Sequence, residues 1–320
     1  MVLRFGCRIH RAFVLTVLAT AIAAVPQGSE AQKRRRPQVK KPAPTHADVA
    51  YGDHQRHVLD LWLAESDEPT PLVVYIHGGG FRGGDKKSIN GRTLVDLLDA
   101  KISVAALHYR LLPDHRLPAA HHDCRRALQF LRANAEKWNF DKTRVGAFGG
   151  SAGAQLCMYL AFHDCMADPD ATDPVAQEST RLRAVGTSGG QTTMDFQWWF
   201  ENIPGYDKPH RDISEIFVGE TQDEQAAVVR DISAQVLITK DDPPIYMTYG
   251  MAPDAPVPND SDRAQGWKVH HVAFGVKLKE QMDALQIEAD LAYPGAKPKY
   301  ASMAEFFKAK LLKGRVRDHN

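Results

Sequence analysis

Cysteine is scarce in this chain of 320 residues, which contains four in all. Cys157 and Cys165 lie eight residues apart on one predicted helix, about 12 Å along its axis, so they cannot form a disulfide with each other. A disulfide through Cys124 stays open, although three buried free thiols are the favoured interpretation. The run 121–124 (HHDC) is not a metal-ligand set, because consecutive side chains on a helix diverge by about 100° each. The sequence therefore predicts no metal site.

Long apolar runs are also missing, apart from Ala12–Val25, whose 14 residues are too few to cross a bilayer comfortably. Three arginines precede this run, and the small residues Ser29 and Ala31 occupy the −3 and −1 positions of a cleavage site. This pattern is typical of a secretory signal peptide, Met1–Ala31, rather than of a permanent membrane anchor. We expect an exported protein, periplasmic or secreted, with no stable membrane span after the signal is removed.

A strong excess of one charge is absent as well. The chain carries a net charge of +1, which becomes −1 without segment 1–31 and −7 when the six cations of segment 32–45 are also removed. Segment 32–45 is basic, proline-rich and without core-forming residues, so we expect a disordered, extended linker. The remaining body, residues 46–320, is mildly acidic and predicts no nucleic-acid partner.

Residues 46–320 alternate between apolar, strand-like runs and amphipathic, helix-like stretches. Continuous apolar runs such as 71–76 (PLVVYI) and 102–107 are typical of buried strands. The alternation predicts one α/β domain with a mostly parallel central sheet and helices on both faces. In such sheets ligands bind at the carboxyl ends of the strands. Near the end of the domain, the spacing predicts one helix over 267–285.

The stretch 144–155 (RVGAFGGSAGAQ) predicts a strand, a tight turn and the start of a helix, with the pattern G-x-S-x-G in the turn. Such a turn holds its serine in a sparsely allowed backbone conformation, so the flanking Gly149 and Gly153 need to lack bulk. Ser151 would then stand clear of the sheet at a helix N-terminus, where developing negative charge is favoured. Ser151 is therefore the candidate nucleophile, and a glycine-rich turn without a catalytic role is the plainer alternative.

A second motif, 77–81 (HGGGF), directly follows an apolar strand-like run. Consecutive glycines allow backbone N–H groups to turn towards one oxygen atom, as an oxyanion hole requires. Gly79 and Gly80, together with the N–H of Ala152, are the predicted donors. His77 is expected to brace this loop rather than to act as a base.

Together with their surroundings, these motifs resemble the α/β-hydrolase superfamily. The supporting segments are FRGGDK (81–86), HYRLLP (108–113), LPAAHHD (117–123) and LRANAEKWNFD (131–141). The likeness covers about residues 50–300, and is closest to hormone-sensitive-lipase-like enzymes and to bacterial feruloyl- and acetylxylan-esterase-like enzymes. It implies an α/β-hydrolase fold and a serine esterase without a cofactor, with a serine nucleophile, an HGGG oxyanion loop, and then an acid and a histidine in that order.

The chain matches the family's pattern for the acid but not its pattern for the histidine. Family members place the carboxylate in a G-x-x-D-x-x-V-P loop, and here Asp254 lies in such a loop with one extra residue. They carry the histidine shortly after a Y-P-G segment, but the segment 293–300 (YPGAKPKY) contains none. His271 is the expected substitute base, because it lies on the same side of the predicted helix as Leu278. A role in covering the loop is the alternative for this histidine, and His108 is a lower-ranked choice.

An insert at about 189–234 is rich in aromatic residues. It is expected to lie over the active site as a lid or a subsite for acyl groups or sugars, or to form the core of a small cap. The resulting prediction is an exported serine hydrolase that cleaves carboxylic esters, either small acyl esters or esters on carbohydrate, through an acyl-enzyme at Ser151. The alternative is a degenerate α/β-hydrolase that binds an ester or a glycan without turnover, because the usual histidine is missing. The sequence does not indicate an oligomeric state.

Overall fold

The structure, a computed structural model, describes residues 39–312. The predicted signal peptide and the first part of the predicted linker lie outside the described residues. Within residues 39–312, no helix is long and apolar enough to cross a membrane.

The described chain forms an eight-stranded sheet with helices between the strands. The strands are His46–Ala50 (β1), Val58–Trp62 (β2), Thr70–Ile76 (β3), Ser103–Leu107 (β4), Phe140–Gly150 (β5), Ala184–Ser188 (β6), Ile245–Thr248 (β7) and Ala289–Ala292 (β8). The α-helices are Gly91–Asp99 (α1), Ala119–Ala133 (α2), Ala152–Phe162 (α3), Phe196–Asn202 (α4), Ile213–Ile216 (α5), Gln222–Asp231 (α6), Ala234–Leu237 (α7), Ser261–Val269 (α8), Ala273–Ala284 (α9) and Met303–Leu311 (α10). A short 3₁₀ turn occupies Lys86–Ser88.

The strand order across the sheet is β1-β2-β4-β3-β5-β6-β7-β8. β1 and β2 pair antiparallel, β2 also runs antiparallel to β4, and every pair from β4 to β8 is parallel. β5 lies at the middle of the parallel part, flanked by β3 and β6. The carboxyl ends of β3 and β5 are therefore neighbours, and both sequence motifs follow directly from them.

Helices cover both faces of the sheet, as the alternating sequence pattern predicts. On one face, Leu94 of α1 and Phe306 and Phe307 of α10 are buried against β4 and β5. On the other face, buried side chains of α2, α3 and α9 form the larger core, including Leu128 and Leu156. Burial of apolar area on both faces explains why the central strands are continuous apolar runs.

Three structural expectations need correction. The predicted helix 267–285 is two helices, α8 and α9, separated by residues 270–272. The last part of the predicted linker is not free of the domain, because Lys41 Nζ donates to the Ile89 carbonyl at 3.2 Å, and the Pro42 carbonyl accepts from Trp62 Nε1 at 3.0 Å. The three cysteines of the described chain are free, but Cys165 is exposed rather than buried.

Candidate active site

The G-x-S-x-G turn joins β5 to α3 as the sequence predicts. Ser151 has φ 51° and ψ −122°, a left-handed conformation that costs a non-glycine residue conformational energy. Its N–H donates to the Ser188 carbonyl at 2.9 Å, which ties the turn to β6. A Cβ atom on Gly153 would lie 2.1 Å from the Ile76 carbonyl oxygen, so only glycine permits this approach of α3 to β3. The turn therefore holds the Ser151 hydroxyl at the carboxyl end of the sheet.

The HGGGF loop lies beside this turn. Gly79 has φ 109°, a conformation that side chains rarely adopt, and it lines the same cavity as Gly80, Ser151 and Ala152. Among the described residues, no backbone group accepts a hydrogen bond from the N–H of Gly79, Gly80 or Ala152. Three unpaired donors next to one serine are the arrangement that an oxyanion hole requires.

His77 braces the glycine loop, in agreement with the sequence interpretation. Its ring is fully buried and stacks on Tyr109 with 4.3 Å between ring centroids. Nδ1–H donates to the Gly78 carbonyl at 2.8 Å, and Arg56 Nη2 donates to Nε2 at 3.3 Å. Burial lowers the pKa of His77 to about 4, so this histidine is neutral near pH 7. The lower-ranked His108 faces Asp85 instead of Ser151, with 3.4 Å between Nε2 and Oδ2.

His270 makes the contact with Ser151, the candidate nucleophile. Its Nε2 lies 2.8 Å from Ser151 Oγ, and its Nδ1 lies 2.8 Å from the Gly266 carbonyl oxygen. Because a carbonyl oxygen can only accept, Nδ1 carries the proton and Nε2 is free to accept the Ser151 hydroxyl hydrogen. This is the tautomer that a general base at Ser151 needs.

The structure does not bring His271 to Ser151, so the choice of His271 is corrected. The His271 ring is buried and packs against Trp267, with 4.4 Å between centroids, while its Nδ1 accepts from the Ala273 N–H at 3.2 Å. Its Nε2 is buried without a hydrogen-bond partner in the described chain. α8 ends at Val269, so the next residue, His270, is the one that turns towards the cavity.

Asp254 is likewise not brought to either histidine. It is exposed, and no described hydrogen bond or ion pair joins it to His270. The Gly266 carbonyl, one turn earlier in α8, holds His270 Nδ1 in place of a carboxylate. A carbonyl orients the imidazole in the same way, but it supplies only a partial negative charge to stabilise an imidazolium.

The insert forms one wall of the active-site cavity. The cavity has a volume of about 370 Å³ and is lined by Ser151 and His270 on one side and by Phe196, Trp199 and His210 of the insert on the other. Trp199 is buried and stacks on His210 with 5.3 Å between centroids. Burial lowers the pKa of His210 to about 4. The aromatic residues therefore serve as the core of a small cap and as cavity wall together.

Two further carboxylates, Asp195 of the insert and Asp242 before β7, act locally. Asp195 caps α4 by accepting from the Gln197 N–H at 2.9 Å, and so does not face the cavity as a recognition group. Asp242 is buried at the turn before β7, where it accepts from the Thr239 N–H at 2.6 Å. Burial raises the pKa of Asp242 to about 6. Neither carboxylate contacts Ser151 or His270.

Several known proteins with similar sequences are esterases by name. The Esterase LipC of Mycobacterium tuberculosis is 26% identical over 227 residues, which is 68% of this chain and 53% of that protein. A probable isoprenylcysteine alpha-carbonyl methylesterase of Arabidopsis thaliana is 26% identical over 220 residues, covering 68% of this chain and 45% of that protein. The chain thus spans about half the length of these curated relatives.

Solved structures share the fold. A truncated carbohydrate esterase from gut microbiota superposes with a TM-score of 0.65 at 21% identity, covering 86% of this chain and 100% of that one. An acetyl ester-xyloside bifunctional hydrolase from Caldicellulosiruptor lactoaceticus gives 0.57 at 20% identity, with 74% and 76% coverage. At these identities the likeness establishes the α/β-hydrolase fold.

The family assignment comes from the sequence itself. The family model described as BD-FAE matches residues 59–265, well over half of the chain. The matched range contains HGGGF, GGSAG and the Asp254 loop, and it ends just before His270. The chain therefore belongs to the BD-FAE family within the α/β-hydrolase superfamily.

Proposed function

We propose that the protein is a serine hydrolase that cleaves carboxylic esters through an acyl-enzyme at Ser151. The observation that carries this proposal is the 2.8 Å contact between Ser151 Oγ and His270 Nε2, beside three unpaired backbone donors. The esterase names of the curated relatives support the same reaction class.

The proposed reaction has two halves. His270 Nε2 takes the Ser151 proton as Oγ attacks the ester carbonyl, and the N–H groups of Gly79, Gly80 and Ala152 stabilise the oxyanion. The tetrahedral intermediate collapses when His270 returns the proton to the departing alcohol, which leaves an acyl group on Ser151. Water then enters, gives its proton to His270 and releases the acid by the same steps in reverse order.

The proposed substrate is a small acyl ester, and we favour one carried on a carbohydrate. The cavity of about 370 Å³ lies at the small end of ligand sites, which suits a short acyl group. The carbohydrate part is supported by the names of the structural neighbours, a carbohydrate esterase and an acetyl ester-xyloside hydrolase. We further propose that the protein is exported, on the strength of the signal-like segment 1–31.

Binding without turnover is the weaker candidate. It was motivated by the missing histidine after the Y-P-G segment, and His270 offers a base from another part of the chain. The strained Ser151 backbone also favours catalysis, because such strain is usually kept where a function needs it.

The test is hydrolysis of 4-nitrophenyl acetate by residues 32–320, compared with Ser151→Ala, His270→Ala and His271→Gln. We expect Ser151→Ala and His270→Ala to reduce kcat by a factor on the order of 10³ or more, since loss of either group disables the same step. His271→Gln is the matched control, because it alters the adjacent histidine without touching Ser151, and it should retain most of the activity.

Three results would contradict the proposal. Hydrolysis that survives in Ser151→Ala would exclude the acyl-enzyme at Ser151. Absence of hydrolysis in the wild type would make binding without turnover the preferred function. A large loss in His271→Gln with little loss in His270→Ala would return the base to His271. Circular dichroism and thermal melting of each variant separate a chemical loss from unfolding.

A further inference from the structure

The cavity holds one group that the proposed reaction does not use, the guanidinium of Arg211. Arg211 lines the cavity together with Ser151, His270 and both oxyanion-loop glycines. Its Nη1 donates to the Gly80 carbonyl at 2.5 Å, and a Cβ atom on Gly80 would lie 2.2 Å from Nη2. The guanidinium therefore packs against the loop that carries the predicted oxyanion donors.

Arg211 has no acidic partner in the described chain. The nearby Arg82 pairs with Glu215 at 2.7 Å, whereas no described carboxylate pairs with Arg211. A guanidinium has five N–H donors in a planar fork, and the Gly80 carbonyl satisfies one of them. Burial, and then the charge of Arg82, lower the pKa of Arg211, as expected for a cation without a counter-ion. Arg211 is half-buried, and removing part of a cation from water without pairing it costs free energy, so this site is suited to an anion that arrives with the ligand.

The remaining cavity wall offers no competing charge. Apolar side chains such as Phe81, Met194 and Ile216 make up much of it. His210, on the same wall, is neutral near pH 7 because burial lowers its pKa to about 4. Among the described residues that line the cavity, Arg211 alone carries a fixed charge. An anionic group on a bound ester would therefore be drawn to one position.

We propose that Arg211 binds a carboxylate of the ester substrate, so that the enzyme prefers esters carrying a carboxylate a few bonds from the scissile carbonyl. Carboxylate and guanidinium form paired, parallel hydrogen bonds of fixed geometry, which adds orientation to charge attraction. The carboxylate has two sources, the alcohol part of the ester, as in an acylated uronic acid, or the acyl part, as in the half-ester of a dicarboxylic acid. This inference rests on the proposed esterase function.

The test compares carboxylate substrates with neutral substrates of equal size. The alcohol arm uses 4-acetoxybenzoate against 4-acetoxybenzamide, and the acyl arm uses monophenyl adipate against the phenyl ester of adipamic acid. The readout is the ratio of kcat/KM between the two members of each pair. We expect a preference for the carboxylate of about tenfold or more in one arm, as a charge-assisted pair provides. Arg211→Gln, which keeps a donor for the Gly80 carbonyl, should bring that ratio close to one.

Arg82→Gln is the matched control, because it removes an equal charge close to Arg211 without touching the cavity. It should retain the carboxylate preference. An equal kcat/KM ratio in wild type and Arg211→Gln would overturn the inference. If Arg211→Gln lowers kcat/KM equally for the carboxylate and the neutral substrate, Arg211 only supports the oxyanion loop. If the kcat/KM ratio falls as far in Arg82→Gln as in Arg211→Gln, the preference comes from the general positive field of the site and not from binding at Arg211.

A binding experiment keeps the inference separate from the esterase proposal. 4-Acetamidobenzoate and 4-acetamidobenzamide carry an amide in place of the ester, so their affinities are measured by NMR titration without turnover. One outcome would be no Ser151-dependent hydrolysis, but tighter binding of the carboxylate that depends on Arg211. It would reject the esterase function and retain carboxylate binding by Arg211. Hydrolysis without any carboxylate preference, in turnover or in binding, would retain the function and reject the inference.

Discussion

At the scale of single residues, the site depends on how the base is held. His270 donates from Nδ1 to the Gly266 carbonyl, so a backbone group fixes the tautomer and the ring orientation that Ser151 requires. In a serine triad this position belongs to a carboxylate, which also stabilises the imidazolium that forms during attack. A histidine held by a carbonyl keeps its orientation, but its imidazolium form receives less electrostatic stabilisation than a carboxylate would give it.

This arrangement predicts a small effect of Asp254→Asn. A carboxylate that supports the catalytic histidine typically contributes about 10⁴ in kcat, whereas an exposed carboxylate without that contact contributes little. Asp254 is exposed and has no described contact with His270, so we expect kcat/KM for 4-nitrophenyl acetate to change by less than about threefold. Asp262→Asn, an exposed change in α8, serves as the control for altered surface charge. A loss of more than about a hundredfold in Asp254→Asn alone would mean that the Asp254 loop closes onto His270 during turnover.

The positions of Ser151 and of the glycine loop, the proposed nucleophile and oxyanion donors, were predictable because each motif consists of adjacent residues. The G-x-S-x-G turn and the HGGG loop are each formed by consecutive residues, and glycines mark the positions where their backbone conformation requires a residue without a side chain. The base was not predictable to the residue. Choosing between His270 and His271 required knowing where α8 ends, since neighbouring side chains at a helix end point in different directions.

At the scale of elements, the end of α8 is decided by contacts that are distant in sequence. His270, His271 and Val272 are compatible with a continuous helix, so periodicity predicts one. In the structure, Gln191 Nε2 donates to the Val269 carbonyl at 2.7 Å, which satisfies a carbonyl that the helix leaves open at its C-terminus. α9 then begins afresh and buries Phe274 and Leu278. The start of α8 did carry a local signal, since Asp260 accepts from the Arg263 N–H at 2.8 Å as an N-cap.

The edge strand β1 was missed for a related reason. Its residues are mostly exposed, so its sequence lacks the apolar run or alternation that marks a buried strand. It is held by pairing with β2 and by Asp60, which accepts from the Asp48 N–H at 2.9 Å. An exposed edge strand of this kind leaves little trace in hydropathy.

The junction between β8 and α10 predicts a pH-dependent stability. Glu288 precedes β8 and accepts from Tyr300 Oη at 2.8 Å, from Lys299 Nζ at 3.0 Å and from Lys310 Nζ of α10. Hydrogen bonds from Lys310, Tyr300 and Lys299 outweigh burial and lower the pKa of Glu288 to about 2, from an ordinary 4.5. Because the folded-state pKa is the lower one, charged Glu288 stabilises the fold above about pH 4.5, and this stabilisation is lost as the pH falls towards 2.

We therefore expect Glu288→Gln to lower the free energy of unfolding by about 1 kcal/mol near pH 7, a figure reduced for solvent screening of a partly exposed side chain. Urea unfolding between pH 3 and pH 7 measures the effect, and the difference from wild type should shrink below about pH 4.5. Glu305→Gln removes an equal charge from an exposed pair with Lys308 and should change stability much less. A difference that stays constant with pH would show that shape, and not charge, is responsible.

At the scale of the whole molecule, alternation along the sequence was sufficient for the architecture. Continuous apolar runs separated by amphipathic stretches predict a parallel sheet covered on both faces, and the sheet from β4 to β8 has that form. The same reasoning places the ends of β3 and β5 side by side, so two motifs 72 residues apart meet at one cavity. The pattern predicts the insert over the active site, but it does not show which insert side chains line the cavity. Trp199 and Arg211 reach the cavity through tertiary packing.

The last prediction concerns the fate of the entire chain, which we propose to be exported. The segment 1–31 combines basic residues, a 14-residue apolar run and small residues at −3 and −1, so N-terminal sequencing of the exported protein should begin at Gln32. Ala31→Arg places a large residue at −1 and should block cleavage, which leaves a longer chain at the membrane. Glu30→Arg, at the tolerant −2 position, introduces the same residue and should be cleaved normally. Recovery of wild-type chains that begin at Met1 and stay inside the cell would contradict export, whereas membrane-bound wild-type chains of full length would make the apolar run a permanent anchor.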